Sequence, residues 1–319
     1  MRVGIWGAGP SGASTALTLR QLEPAWKIVV LHRAATRSWQ PGETLVPGAQ
    51  ALLRGLGLWE RFLADSHAQA AGTRAAWGSA EPYDNEYLFS AQGPGWHLNR
   101  PVFDAMLIEA LQSAGIEIAA EAAGPFDFVA DCTGRAAAYA VSRGARRIAE
   151  DRLIAAGTVV AGSQPMACTV VEAQESGWWY STPLPGNRYV RAWMTDPDLY
   201  RGGREGAETV LSACSQYLSP CVGEDWLAVG DAAAAFDPLS SQGIPRALRM
   251  GRIAAYTIRD AVSGSPGALT KYRRYIEAEY AHYRSAHRRF YRQENRWPDA
   301  PFWARRQQYE GDSNVQTAV

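Results

Sequence analysis

Lysine is nearly absent from this chain of 319 residues: among 32 lysines and arginines, only Lys27 and Lys271 are lysines. The acidic residues also number 32, so the formal net charge is zero. A neutral chain has no overall field that would attract nucleic acid or an anionic membrane surface. We therefore expect neither nucleic acid nor a membrane among its partners.

Cysteines and long apolar runs are also scarce. Cys132, Cys168, Cys214 and Cys221 show neither CxxC spacing nor the spacing of zinc ligands. We therefore expect no metal site and a reducing, cytoplasmic setting. No run reaches the roughly 20 apolar residues that a membrane-spanning helix needs. The chain is long enough for one large body or two merged domains.

Glycines near the amino terminus form the first chemical motif. An apolar run at residues 3–6 ends in Gly7-Ala8-Gly9-Pro10-Ser11-Gly12, and residues 11–22 follow with helical apolar spacing. In this GxGxxG pattern the glycines permit a tight turn, approach of a phosphate to the backbone, and close helix–strand packing. We expect Gly7, Gly9, Pro10, Ser11 and Gly12 to hold a dinucleotide pyrophosphate at the helix N-terminus.

The second strand, predicted at residues 27–31, departs from the usual pattern at its end. A carboxylate commonly accepts hydrogen bonds from the ribose there, but His32 stands in its place and Arg33 follows. Both are predicted to contact the cofactor. Because imidazole lacks the acceptor strength of a charged carboxylate, we expect weaker dinucleotide binding.

Two later segments distinguish FAD from NAD. Residues 127–135 (DFVADCTGR) and 226–233 (WLAVGDAA) resemble the strand-and-turn and GD motifs of flavin hydroxylases and reductases. The resemblance implies that FAD is the cofactor. It also implies that Gly230 and Asp231 bind FAD, with the aspartate on its ribityl chain.

Four further segments narrow the resemblance. Residues 42–45 (GETL), 98–104 (LNRPVFD), 178–185 (WWYSTPLP) and 237–244 (DPLSSQGI) resemble signatures of the tryptophan-halogenase-like branch of flavin monooxygenases, over most of residues 1–262. Within that branch the last two are most similar to flavoproteins that mature tryptophylquinone cofactors and to oxidases of carrier-peptide tryptophan. The implied fold is α/β: an FAD-binding Rossmann-like domain of the GR2 hydroxylase type, an inserted antiparallel β substrate domain, and C-terminal helices.

The chain is expected to divide into parts with separate tasks. The predicted parts are a discontinuous FAD-binding domain (1–75, 98–153 and 222–264), a substrate domain (76–97 and 154–221), a C-terminal helical region (265–310) and a disordered tail (311–319). Within the substrate domain, residues 204–218 are predicted to be helical.

The resemblance also implies roles for individual residues. Pro238, Ser241, Gly243 and Ile244 would lie over the flavin ring at a helix N-terminus, where N–H groups stabilise an anionic reduced flavin. Arg100 would reach the flavin or its phosphates. The predicted catalytic residues are Glu43, His97 and Gln242, and the predicted substrate contacts are Trp178 and Trp179, of which alternation along a strand lets at most one face the cavity.

The positions of the two lysines argue against halogenation as the reaction. Halogenases of this branch need a lysine shortly after the GETL-like segment, and neither Lys27 nor Lys271 stands there. Ser240 also replaces the glutamate before the halogenase S-T-G turn. The remaining chemistry is oxygen transfer to an aromatic ring through a flavin C4a-hydroperoxide. The expected substrate is a tryptophan side chain in a peptide or protein, with NAD(P)H or a partner flavin reductase as the electron source.

Two other functions stay open from the sequence. The chain could be an FAD-dependent reductase or dehydrogenase of a small molecule, or a peptide-binding homologue that no longer turns over flavin. Arginines alternate with aromatic residues over positions 271–309. This segment either grips a peptide or packs on the body as an amphipathic helix.

Overall fold

The computed structural model describes residues 1–33, 42–88, 90–162, 167–202 and 209–307. The tail predicted to be disordered, 311–319, lies outside the described residues. In chain order the strands are β1 (Arg2–Trp6), β2 (Lys27–Leu31), β3 (Thr44–Leu45), β4 (Ala68–Ala70), β5 (Gly72–Ala76), β6 (Tyr83–Glu86), β7 (Gly95–His97), β8 (Glu117–Ala119), β9 (Phe128–Asp131), β10 (Arg146–Ala149), β11 (Ile154–Ala161), β12 (Thr169–Gln174), β13 (Gly177–Leu184), β14 (Arg188–Thr195), β15 (Thr209–Ser212), β16 (Gln216–Ser219), β17 (Trp226–Ala228) and β18 (Ala234–Ala235). The α-helices are α1 (Pro10–Leu22), α2 (Ala49–Gly55), α3 (Trp59–Ala64), α4 (Arg100–Ser113), α5 (Ala138–Ser142), α6 (Gly243–Val262), α7 (Ala268–Gln293) and α8 (Pro301–Gln307).

A parallel sheet with the strand order β17-β9-β1-β2-β8 forms the centre of the fold. Its central strand β1 buries Val3 and Ile5 completely, as expected for an apolar strand with helices on both faces. Helix α1 connects β1 to the parallel strand β2, which gives the predicted βαβ unit. The predicted α/β class, with a Rossmann-like sheet and C-terminal helices, is confirmed.

Helices α1 and α6 pack closely beside this sheet. Small residues make the contact possible: a Cβ added at Gly251 would come within 2.6 Å of the Ser11 carbonyl oxygen. The Ser14 hydroxyl donates a hydrogen bond of 2.6 Å to the Leu248 carbonyl across the same interface. The N-termini of the two helices lie on the same side of the sheet, since Pro10 and Gly243 line one crevice.

A larger sheet with the order β15-β11-β14-β13-β12-β5-β6 forms the second layer. It is mostly antiparallel as predicted, but β5 runs parallel to β12. The difference arises because β5 reaches the sheet from a distant part of the chain and not through a hairpin. Two smaller sheets, β3-β7-β4 and β10-β16-β18, lie beside these layers. The division of the chain into separate domains stays a prediction.

The helix predicted at residues 204–218 is wrong wherever this segment is described. Thr209–Ser212 forms β15 against β11, and Gln216–Ser219 forms β16 between β10 and β18. Residues 204–208 lie outside the described residues. The apolar spacing in this segment fits either structure, and pairing with distant strands decided between them.

Candidate functional site

One crevice gathers most of the predicted motif residues. It encloses about 300 Å³ between the carboxyl ends of the parallel strands, the glycine turn and the start of α6. Open α/β sheets bind their ligands at this position. The predicted residues that line it are Gly9, Pro10, Ser11, Glu43, Arg100, Asp231, Pro238, Ser241, Gly243 and Ile244. A second depression of about 420 Å³ lies at the opposite ends of the strands, and its lining includes none of the predicted site residues.

The glycine turn has the geometry of a phosphate cradle. Gly7 has a φ of +109°, and a Cβ there would collide with the Cys132 carbonyl oxygen. A Cβ at Gly12 would collide with the Gly7 carbonyl oxygen, so both glycines are needed for the turn itself. At Gly9, by contrast, a Cβ would meet no atom within 4 Å. The backbone at Gly9 therefore faces open space in the crevice.

The N-terminus of α1 completes this cradle. Pro10 begins the helix, and no side chain caps the N-terminal N–H groups in the described part of the chain. Uncapped N–H groups carry positive potential toward the crevice, and this potential favours a pyrophosphate. The open face at Gly9 and the uncapped helix therefore fit a dinucleotide such as FAD.

Asp131 shapes the turn after β9, which forms the neighbouring wall. Its Oδ1 accepts hydrogen bonds from the Thr133 N–H at 3.0 Å and the Thr133 hydroxyl at 2.6 Å. Its Oδ2 accepts from the Ala140 N–H at 2.8 Å. Arg135, which lines the crevice, donates to the carbonyl of Cys214 and, at 2.8 Å, to that of Phe236. The Asp131 carboxylate thus accepts hydrogen bonds from the turn after β9. Arg135 connects this turn to the segments that contain Cys214 and Phe236.

Asp231 forms an ion pair that the motifs did not reveal. Arg246 Nη2 donates to Asp231 Oδ1 at 2.8 Å, and the guanidinium lies 3.7 Å from the centre of the Phe236 ring. The Arg246 side chain is 2% exposed, whereas that of Asp231 is 38% exposed. Burial lowers the pKa of Arg246, although the charge of Asp231 opposes this shift. The sequence held one indication of this ion pair: Arg246 occupies a buried position of α6, and a buried arginine usually has a charged partner.

Asp237 connects the loop that contains Pro238, which lines the crevice, to helix α7. Its Oδ2 accepts hydrogen bonds from His287 Nε2 at 3.1 Å and from the Tyr291 hydroxyl at 2.8 Å. Its Oδ1 accepts from the Leu239 N–H at 2.8 Å. Burial raises the pKa of this carboxyl, but the hydrogen bonds and the charge of His287 outweigh burial and leave it lowered. The buried carboxylate of Asp237 therefore fixes the loop that contains Pro238 to helix α7.

Glu43 and His97 belong to one buried polar cluster. Glu43 lines the crevice and is 4% exposed, whereas His97 is 1% exposed and lies behind the lining. Tyr180, which sequence reasoning missed, lines the crevice beside Glu43, and its hydroxyl lies 3.5 Å from Glu43 Oε2. Burial raises the pKa of Tyr180 and lowers that of His97, so the tyrosine stays protonated and the imidazole neutral.

The two adjacent tryptophans do not line the crevice. Trp178 and Tyr180 lie on one face of β13 and Trp179 on the other, as alternation requires. Trp178 is fully buried, and its Nε1 donates to the Tyr291 hydroxyl at 3.1 Å. Trp179 lies 5.0 Å from Trp193, measured between ring centres. Their predicted substrate role stays a prediction, and Tyr180 is the residue of this motif that reaches the crevice.

The predicted contacts at the adenosine end also lie outside the crevice lining. The His32 N–H donates to the Ala119 carbonyl at 2.9 Å. Arg33 pairs with Glu121 at 3.4 Å, with both side chains largely exposed.

Two further predicted residues also lie outside the lining. Gln242 is exposed at the start of α6, and the backbone of Gly230 packs near Ser11. The cofactor roles of His32, Arg33 and Gly230 and the catalytic role of Gln242 stay predictions.

The aromatic residues of the C-terminal region are mostly buried. Tyr291, Phe302 and Trp303 are completely buried against the larger sheet, and Tyr283 is 7% exposed. Phe290 is an exception at 45% exposed. This pattern is that of an amphipathic helix packed on the body, not of an exposed aromatic surface for binding a peptide.

In the described part of the chain, no helix is both long and apolar enough to cross a membrane.

Comparison with known proteins identifies the same cofactor. The model that describes the FAD binding domain family matches residues 1–169 of this chain. A relative from Marinomonas mediterranea, whose name describes an FAD-dependent oxidoreductase, LodB, is 26% identical over 95% of both chains. A 1H-pyrrole-2-carbonyl-[peptidyl-carrier protein] brominase of Pseudoalteromonas luteoviolacea is 22% identical over 82% of this chain and 78% of its own.

Solved structures share the fold. CmlS, a flavin-dependent halogenase, superposes with a TM-score of 0.85 at 22% identity, covering 98% of this chain and 68% of its own. QhpG, a peptidyl tryptophan dihydroxylase essential for tryptophylquinone cofactor biogenesis, gives a TM-score of 0.76 at 24% identity, covering 99% and 81%. The fold predicted from the halogenase-like motifs is therefore confirmed.

Proposed function

Because this chain belongs to the FAD binding domain family, we propose that it is an FAD-dependent monooxygenase that hydroxylates or further oxidises an aromatic ring. The proposed substrate is a tryptophan side chain presented by a peptide or protein. The observation that carries the proposal is a single crevice, in which the open Gly9 cradle and the Pro238 loop lie next to Glu43 and Tyr180. The names of two similar proteins, a peptidyl tryptophan dihydroxylase and a carrier-protein brominase, support the substrate class.

Bound FAD would supply the redox chemistry, since a reduced flavin passes two electrons to O2 and allows one oxygen atom to reach an aromatic carbon. Gly9, Ser11 and the N-terminus of α1 would bind the pyrophosphate. Asp231 would accept a hydrogen bond from the ribityl chain while Arg246 holds its carboxylate in place. The N–H groups at the start of α6 would face the ring and stabilise its negative charge.

Other side chains would control water and protons. Ala155, Met194, Leu211 and Phe236 line the crevice and provide an apolar wall that limits water at the reacting ring. Glu43 would exchange protons with the substrate or with reduced oxygen, as general acid–base catalysis requires. The electron donor is proposed to be NAD(P)H or a partner reductase.

The positions of the lysines favour oxygenation over halogenation. Lys27 forms an ion pair of 3.1 Å with Glu117 at the edge of the parallel sheet, and Lys271 lies on α7. Neither side chain lines the crevice. The chain thus offers no lysine to receive an oxidised halide there, although the fold is shared with halogenases.

The test incubates reduced, FAD-loaded protein with tryptophan-containing peptides in air, with and without chloride or bromide. We expect the peptide to gain mass in units of one oxygen. A matched peptide with phenylalanine in place of tryptophan is the control and should gain none. Halogen incorporation would overturn the proposal, and oxygen uptake that yields only hydrogen peroxide would indicate a reductase or dehydrogenase.

A further inference from the structure

Strand β15 forms one edge of the larger sheet and borders the crevice. Among the described residues it pairs with β11 alone, and it stands at the end of the strand order of that sheet. Leu211 and Ser212 of β15 line the crevice, as does Ala213, which follows them. The edge of the larger sheet is therefore continuous with the lining of the candidate site.

The backbone of this edge has hydrogen-bonding groups that face away from the sheet. The Ala213 N–H donates to the Leu153 carbonyl at 2.9 Å, in register with the antiparallel pairing of β15 and β11. Because hydrogen bonds alternate along such a pair, the N–H and C=O groups of Leu211 face β11, whereas those of Val210 and Ser212 face outward. No backbone hydrogen bond joins these outward groups to another described part of the chain. Val210 is 46% exposed and Ser212 is also exposed, so the edge is accessible.

The opposite edge of the same sheet, β6, is protected as edge strands usually are. Soluble proteins place charged residues or proline on exposed edges, because unpaired backbone groups there bind other chains. Strand β6 contains Asp84 and Glu86, and all four of its residues are exposed. Strand β15 has the sequence Thr-Val-Leu-Ser, with neither a charge nor a proline. Of these two edges, the one beside the crevice is therefore the one suited to pair with another chain.

The side chains of β15 indicate where an added strand would direct its own side chains. Leu211 lies on the same face of the sheet as Ala155, Met194 and Tyr180, all of which line the crevice. In adjacent strands, residues that stand opposite each other project to the same face. A residue opposite Leu211 on an added strand would therefore project into the crevice, and its two neighbours would project away from it.

We propose that the outer edge of β15 binds the substrate peptide as an additional strand of the larger sheet. The peptide is extended, with its tryptophan opposite Leu211 and directed into the crevice. Its backbone exchanges hydrogen bonds with the N–H and C=O groups of Val210 and Ser212. Recognition thus depends on backbone groups and on one large side chain. The inference rests on the proposed function, since it takes a peptide as the substrate.

The size of the edge favours a peptide over a second copy of this chain. Strand β15 has four residues, whereas a stable interface between proteins uses about 20 residues on each side. A short extended peptide binds through fewer backbone contacts when one aromatic side chain fills an adjacent pocket. The apolar lining beside Leu211, which includes Ala155 and Met194, offers such a surface to an indole ring.

The first test measures peptide binding without turnover. Oxidised, FAD-loaded protein is titrated with a fluorescently labelled peptide of about seven residues with a central tryptophan, and with a series in which one backbone nitrogen at a time is methylated. Only every second amide of a strand paired with β15 would face the edge. We expect methylation to weaken binding by about tenfold at alternate positions of the paired segment, and little at the positions between them. Equal effects at all positions, or no binding of the peptide, would overturn the proposal.

The second test removes an outward donor from the edge itself. Val210→Pro deletes an N–H that β11 does not use, and proline is tolerated at such positions of edge strands. Glu86→Pro is the matched control on β6: the Tyr87 N–H donates to the Ala71 carbonyl of the neighbouring chain segment, so the Glu86 N–H faces outward. We expect Val210→Pro to weaken peptide binding by about tenfold and Glu86→Pro to leave it unchanged, with FAD affinity retained in both. Unchanged peptide binding in a folded Val210→Pro protein would contradict the proposal.

Further outcomes separate the edge from the proposed chemistry. The methylation series uses the unmodified protein, so it decides the question even when Val210→Pro does not fold. Analytical ultracentrifugation tests the other occupant: dimers of the unmodified protein that Val210→Pro abolishes would assign the edge to a second copy and overturn the proposal. Oxidation of the peptide without alternation would reject the edge and keep the proposed function. Alternation in a peptide that is never oxidised would keep the edge and reject the proposed function.

Discussion

Tyr291 donates a hydrogen bond of 2.8 Å to Asp237, and this contact joins helix α7 to the loop that forms one wall of the crevice. Both groups are buried, with Tyr291 completely inaccessible to solvent. A hydrogen bond to a buried carboxylate is stronger than one between neutral groups. The C-terminal helix therefore supports the crevice although it contributes no residue to its lining.

Tyr291→Phe should weaken this support. We expect the free energy of unfolding to fall by about 2 kcal/mol, because the buried Asp237 loses one of its donors and Trp178 Nε1 loses its acceptor. The FAD affinity should fall as well. Chemical denaturation and FAD titration measure the two effects. Tyr272→Phe is the control: its buried hydroxyl donates to the Ala228 carbonyl at 2.8 Å, so it should lose stability but keep its FAD affinity. Equal loss of affinity in both variants would contradict a specific role for the Asp237 contact.

Gly9→Leu should prevent FAD binding while leaving the fold intact. The backbone at Gly9 has a φ of −69°, which any residue adopts, and a side chain there would project into open space. That open space is where we place the pyrophosphate. Thermal unfolding and flavin absorbance after reconstitution measure the two properties. Gly7→Ala provides the contrast, since its Cβ would collide with the Cys132 carbonyl and should lower stability. Normal flavin loading by Gly9→Leu would contradict the placement.

The Asp231–Arg246 pair should respond unequally to loss of either partner. Asp231→Asn leaves a guanidinium charge that is 2% exposed without its counter-charge, and we expect a loss of about 3 kcal/mol. Arg246→Met should cost less, because Asp231 is 38% exposed and can be solvated. Denaturation of the FAD-free proteins measures both values. A greater loss for Arg246→Met would show that packing on Phe236, not charge, dominates this contact.

His67 should make stability depend on pH. Burial lowers its pKa from 6.5 to about 4, and its Nδ1 accepts a hydrogen bond of 3.2 Å from the Asn99 N–H. The folded state therefore prefers the neutral ring. Its contribution is complete above pH 6.5, declines as the pH falls toward about 4, and amounts to about 3 kcal/mol over that window. Below the folded pKa both states are protonated and the decline from this group ends.

His67→Gln should flatten the pH dependence of stability in this window, because the amide oxygen can accept from Asn99 without titrating. The exposed His282 provides a control, and His282→Gln should leave the pH profile unchanged. Denaturation curves at several pH values make the comparison. An unchanged slope in His67→Gln would rule out this histidine as the titrating group.

Several parts of the fold were predictable because their signals are local. The glycine turn, the apolar strand before it and the helix after it follow from spacing within about 30 residues. The start of α6 at Gly243 follows from the DPLSSQGI segment in the same way. The segment at 209–219 was not predictable, because its strands are stabilised by partners at positions 146–161 and 234–235. Its own residues fit a helix nearly as well.

The candidate site likewise has features that the sequence predicted and features that only the tertiary structure decided. The sequence by itself determined the family, the cofactor class and the order of the motifs, because each motif carries its chemistry within a few consecutive residues. Only the tertiary structure decided that Tyr180 and not Trp178 reaches the crevice, that Arg246 pairs with Asp231, and that threonines from three strands connect Glu43 to His97. These contacts join residues far apart in the chain, and which of them meet depends on how the sheets and helices pack together.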